Sequence, residues 1–177
     1  MSLEKHRAES RVALRFAVIT VSDTRDAASD RGGPLIVETL VAAGWVLGSR
    51  AIVRDEAAEI ERAVLAACGS PEVDLVLTTG GTGLAPRDVT VPTLERLFES
   101  SIPGFGELFR ALSYREIGSA AILSRACAGV IRRKPVFALP GSPKALVGCR
   151  SERGWGSAAA HPTQAEIGAQ PTRLLCE

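Results

Sequence analysis

Short runs of β-branched and aliphatic residues alternate along this chain with longer stretches in which apolar residues recur every three or four positions. Arg15 to Val21, RFAVITV, is a near-continuous apolar run that ends at the polar triplet Ser22-Asp23-Thr24, and it reads as a buried strand. Gly32, Gly33 and Pro34 open a predicted helix to about Ala43, which Gly44 stops as a C-terminal cap. A strand near Val46 to Val53 follows, then a helix from Glu56 whose Ala57, Ile60, Val64 and Ala67 form one apolar face. Gly69, Ser70 and Pro71 break that helix before a third strand, Leu75 to Thr78. Helices are expected from Thr90 to about Phe98, with Pro92 tolerated in the first turn, and from Gly104 to about Tyr114. Val136 to Leu139 is a last strand, stopped by Pro140-Gly141-Ser142-Pro143.

Strands alternating with helices of about ten residues imply βαβ units and a mostly parallel sheet covered on both faces. The expected fold is therefore a three-layer α/β/α domain over residues 14–147. Residues 1–13 read as a charged, flexible arm. Residues 148–177 carry glycines and prolines with almost no helical periodicity, so they read as a loop-like tail.

In an open parallel sheet the carboxyl ends of the strands share one edge, and ligands bind in the crevice there. Four polar segments fall on that edge: Ser22 to Thr24, Asp55, Thr79 to Asp88, and Pro140 to Pro143. The third is the most informative. It interleaves Gly80, Gly81 and Gly83 with the hydroxyls of Thr79 and Thr82, and a carboxylate, Asp88, lies five residues beyond the last glycine. Glycines let backbone N–H groups approach an anion closely, and a carboxylate beside them commonly holds magnesium against phosphates. The pattern predicts a site for a phosphorylated ligand.

Asp55 and Asp88 are the candidate magnesium ligands, each also readable as a helix-start aspartate. Ser142 reads equally as a ligand donor or as part of a tight turn. Ser124 and Arg125 are placed on the same rim, Arg125 either clasping a phosphate or making a surface ion pair. Thr78 is expected to finish its strand with its hydroxyl satisfied by backbone. Neither G-x-G-x-x-G after the first strand nor G-K-[ST] after the glycines is present, so the dinucleotide fingerprint and the P-loop are excluded.

Composition mainly excludes. At 177 residues the chain is long enough for one substantial core, and its net charge of +1 gives no pull toward nucleic acid or membrane. The basic run Arg132-Arg133-Lys134 reads as a solvated turn before a strand. Four cysteines without a C-x-x-C pair and only two histidines exclude the usual zinc spacings and make no disulfide framework. No signal peptide or spanning run is present, and a reducing cytoplasm is the expected location.

VSDT at 21–24, RDE at 54–56, LVLTTGGTG at 75–83, RDVT at 87–90 and PGFGELFR at 103–110 occur in this order. AILSRACAGVI at 121–131 and ALPGSPKA at 138–145 complete the set. With these motifs the chain resembles the molybdenum cofactor biosynthesis family, to which molybdopterin adenylyltransferases and MoaB-type proteins belong. The resemblance implies a molybdopterin-binding fold, a homotrimer or a homohexamer built from trimers, and Mg2+- and ATP-dependent adenylylation of molybdopterin. It places the family's two essential aspartates on Asp55 and Asp88. It places the pterin and phosphate loop on Thr79, Gly80, Gly81, Thr82 and Gly83, and a second ligand loop on Gly141, Ser142 and Pro143. Ser22, Asp23 and Ser124 join them as expected binding residues, and other proteins of cofactor biosynthesis as expected partners. PGFGELFR and LSRA look closer to the MoaB branch, in which a catalytically inactive molybdopterin carrier is the alternative to an enzyme. A general magnesium-dependent phosphate-ester enzyme on the same fold is the third reading. After Leu146 the sequence departs from the family pattern, lacking the long apolar-faced helix with which relatives continue.

Overall fold

The computed structural model describes residues 13–141. Ser142, Pro143, most of the expected arm and all of the expected tail lie outside the described residues. The elements follow the alternation in the sequence: β1 Arg15–Val21, α1 Gly32–Ala42, β2 Val46–Val53, α2 Ala57–Gly69, β3 Leu75–Thr79 and α3 Thr90–Leu97. Then come β4 Ser100–Ser101, α4 Pro103–Ile117, a 3-10 turn over Gly118–Leu123, β5 Cys127–Ile131 and β6 Lys134–Leu139.

The six strands form one sheet in the order β2-β1-β3-β6-β5-β4. The first four are mutually parallel; at the far edge β5 runs antiparallel to β6, and β4 antiparallel to β5. Side chains alternate across a strand, so each central strand serves two cores. Phe16, Val18, Leu75, Leu77, Phe137 and Leu139 face α1 and α4, where Ile36, Leu40 and Phe109 meet them. Ala17, Ile19, Val76, Val136 and Ala138 face α2 and α3, where Ile60, Val64, Cys68 and Leu94 meet them. The apolar stripe of α2 is Ile60, Val64 and Cys68, which are buried, whereas Ala57 and Ala67 lie at its margin.

The antiparallel β4–β5 edge was not expected. β5 reads CAGVI, short and glycine-containing, and β4 has two residues, so neither carries a usable period. Arg132 and Arg133 form the two-residue turn joining β5 to β6, with φ of 49° and 63°. Both central residues of such hairpins need positive φ. The turn is held from outside, since the Arg132 amide donates to Glu99 Oε1 at 2.8 Å and its guanidinium to the Leu65 carbonyl at 3.2 Å.

Candidate functional site

Val21, Val53, Thr79 and Leu139 end the four parallel strands at one edge, and the loops beyond them are tied together there. The Ser22 amide donates to the Val53 carbonyl at 2.9 Å, and the Gly80 amide to the Leu139 carbonyl at 3.2 Å. Thr79 Oγ1 donates to the Pro140 carbonyl at 3.1 Å, so this buried hydroxyl joins two loops. Gly80, at φ 102°, packs directly on the Val21 carbonyl, and a Cβ on Gly141 would lie 3.1 Å from Gly80 Cα. Ser22 Oγ accepts from the amides of Thr24 and Arg25, at 3.3 and 3.2 Å, and shapes the first loop.

The two candidate aspartates turn inward. Neither caps its own helix: α2 starts after Glu56 and α3 after Val89, each without a side-chain cap. Instead Asp55 Oδ1 accepts the Val89 amide at 3.3 Å, and Asp88 Oδ2 accepts the Ala85 amide at 2.8 Å. A Cβ on Gly81 would lie 2.6 and 2.9 Å from the Asp55 carboxylate oxygens, and one on Gly83 would lie 2.6 Å from Asp88 Oδ2. Both carboxylates therefore press on the same glycine loop. Burial and the neighbouring charges of Asp88 and Asp23 push the Asp55 carboxyl above its ordinary value, against the Val89 amide that stabilises its charge. Asp23 completes the group: its Oδ1 accepts the Asp55 amide at 3.2 Å, and its other oxygen binds Arg87.

Arg125 corrects the sequence reading. Among the described residues it forms no ion pair, and its guanidinium donates to the carbonyls of Thr82 at 3.1 Å, Asp88 at 2.8 Å, and Gly83. A trans peptide sets each N–H opposite the preceding C=O. Holding the Thr82 and Gly83 carbonyls toward Arg125 thus aims the amides of Gly83 and Leu84 away from it. Among the described residues the amides of Gly81, Thr82, Gly83 and Leu84 donate to nothing. Successive unpaired N–H groups of this kind form an anion-binding concavity.

Three further placements differ from expectation. Thr78 Oγ1 is buried with no hydrogen-bond partner among the described residues, so backbone does not satisfy it. Ser124 does not join the glycine rim through its hydroxyl, which accepts the Ala126 amide at 3.4 Å. Its side chain lines a neighbouring groove of about 450 Å³ between α3 and α4. Thr90, which sequence reasoning passed over, is fully buried, and its unpartnered Oγ1 lies against Gly81 beside Asp55. The signal was available as the threonine of RDVT.

No three His, Cys, Asp or Glu side chains converge among the described residues, so the protein offers fewer carboxylates than a dedicated all-protein cage. Magnesium bound with phosphates usually takes one or two carboxylates and fills its shell with phosphate oxygens and water. Asp55 and Asp88 are the two carboxylates that meet the glycine loop.

Comparison with known proteins follows the same line. Residues 17–152 match the family model described as a probable molybdopterin binding domain. Molybdenum cofactor biosynthesis protein B of Bacillus subtilis is 49% identical over 147 residues, covering 82% of this chain and 86% of that protein. Molybdopterin adenylyltransferase of Pyrococcus furiosus is 42% identical over 152 residues, covering 82% and 88%. A crystal structure of a molybdenum cofactor biosynthesis protein B superimposes with a TM-score of 0.83 at 43% identity, covering 90% of this chain and 98% of that one.

Proposed function

The chain belongs to the family of molybdopterin-binding domains, and from that membership we propose that it adenylylates molybdopterin in molybdenum cofactor biosynthesis. The observation that carries the proposal is the pairing of four unpartnered loop amides with two carboxylates turned onto the same loop. The amides of Gly83 and Leu84 hold the terminal phosphate of the pterin in line with the α-phosphorus of ATP. A phosphate oxygen bonds to that phosphorus as its bond to the β-bridging oxygen breaks, and pyrophosphate leaves with the electron pair. Such transfers need positioning and charge neutralisation rather than a protein nucleophile. Asp55 and Asp88 would hold Mg2+, which when bound offsets the charge of the phosphates.

The same reading makes the protein a homotrimer or homohexamer that exchanges pterin with other cofactor-biosynthesis proteins. An apolar surface on α4 and the 3-10 turn supports self-association: Tyr114, Ile122 and Leu123 are 62, 75 and 61% exposed. A cytoplasmic location accords with the free thiols of Cys68 and Cys127. No helix among the described residues is long and apolar enough to cross a membrane.

Pyrophosphate release from ATP, with and without molybdopterin, tests the reaction. Asp88→Asn is expected to lower turnover about 1,000-fold or more, a loss of about 4 kcal/mol of transition-state stabilisation, while molybdopterin still binds and the fold persists. Wild-type protein that binds molybdopterin without ever releasing pyrophosphate is a carrier instead.

A further inference from the structure

Arg87 has no role in the reading above, yet it spans the crevice. It leaves the glycine loop one residue before Asp88, and its Nε reaches Asp23 Oδ2 on the β1 loop at 3.1 Å, with Nη2 closing on the same oxygen. The Arg87 side chain is 65% exposed, and its guanidinium has further N–H donors beyond those on Asp23. Of the other arginines of the rim, Arg125 is held by three carbonyls and Arg25 by that of Gly141 at 3.4 Å, while the charge of Arg54 acts on Asp23. Carbonyl partners fix a guanidinium in place, whereas a carboxylate is an anion that a phosphate can replace on the same fork. The rim otherwise carries three carboxylates, Asp23, Asp55 and Asp88, whose combined charge repels polyphosphate.

We infer that Arg87 is a phosphate-recognising residue of this crevice, held in reserve by Asp23 and transferred from that carboxylate to the incoming anion. Asp23 then acts as an internal competitor, so its charge weakens anion binding in the absence of metal. That sign separates the idea from the simpler one in which Asp23 contacts ligand directly. The inference rests on the crevice accepting phosphates, and not on adenylyl transfer itself.

Titration of the full chain with inorganic pyrophosphate, in EDTA and at fixed ionic strength, tests it calorimetrically. Arg87→Ala is expected to weaken binding about 10-fold or more, and Arg87→Lys by less, because a lysine keeps the charge and loses the fork. Asp23→Asn is expected to tighten binding about three- to tenfold, and the gain should shrink below about twofold when Arg87 is already alanine. Arg87→Ala with unchanged affinity overturns the inference. So does weaker binding by Asp23→Asn, an equal gain in the two backgrounds, or a wild type that takes up no pyrophosphate. The full pattern in a protein that never releases pyrophosphate from ATP sustains the inference and removes the transferase reading alone.

Discussion

Two carboxylates beside the same sheet are treated in opposite ways. Asp30, under the start of α1, is 4% exposed and fully served. Its Oδ1 accepts the amides of Gly32 and Gly33 at 3.0 and 3.1 Å; its Oδ2 accepts Thr20 Oγ1 at 2.7 Å and Arg50 Nη2 at 2.9 Å. Burial pushes its carboxyl up, yet these four donors and the Arg50 charge hold it below its ordinary value. Among the described residues Asp55, at the crevice, has one long hydrogen bond, no ion pair and two carboxylates nearby, and its carboxyl is raised. The fold satisfies a buried charge where the charge is structural. Leaving Asp55 short of partners marks the place where a cation from outside is expected to complete it.

Asp30→Ala gives the largest expected effect on stability. It removes the acceptor of the first two α1 amides, orphans Thr20 and strands Arg50 against the sheet, at an expected cost of about 3–5 kcal/mol in urea unfolding. A loss below about 1 kcal/mol would place Asp30 and Asp55 in one class and end the contrast. The next effect sharpens the other side. Gly81→Val, the obvious probe of the loop, also strikes Thr90 and Asp55 and adds a side chain at φ 60°, so it mixes folding with binding. Arg125→Ala is cleaner for folding, because it adds no atom to the loop and frees the carbonyls of Thr82, Gly83 and Asp88. Its expected result is molybdopterin affinity lowered about 10-fold, roughly 1.4 kcal/mol, through lost orientation of the Gly83 and Leu84 amides. Unchanged affinity would remove those amides from the phosphate site.

Much of this was legible in the sequence, and what escaped has physical causes. β1 and β3 are buried apolar runs, and the exposed edge strand β2 follows the helix-stopping Gly44, so run length and breakers located them closely. The rim was readable because parallel strands put all their carboxyl ends together. The β4–β5 edge was not, because two- and five-residue strands give no period and Arg132-Arg133 lacks the Asn-Gly signature of a hairpin turn. Arg125 was placed near the site without its carbonyl partners, since no local pattern shows that a guanidinium will meet backbone carbonyls 37 to 43 residues away. A still greater distance in sequence hid the Arg87–Asp23 pair, which is 64 residues apart.

The smallest expected effect is the one whose sign matters most. A carboxyl raised in the folded protein binds its proton more tightly there than in the unfolded chain. Its ionisation therefore opposes folding: the penalty is absent below the unfolded value near pH 4, and it grows as pH rises through the folded one. Asp30 runs the other way, stabilising above the unfolded value and losing that stability as pH falls through its depressed one. Asp55→Asn keeps an oxygen for the Val89 amide and removes the charge. The ligand-free variant should thus be more stable than wild type at pH 7, by roughly 1 kcal/mol or less, with the gain vanishing toward pH 4. Thermal melts of the two proteins at both pH values check it. A variant less stable at pH 7 would mean that Asp55 is as well served by the fold as Asp30, and the electrostatic case for an incoming cation at this crevice would fall.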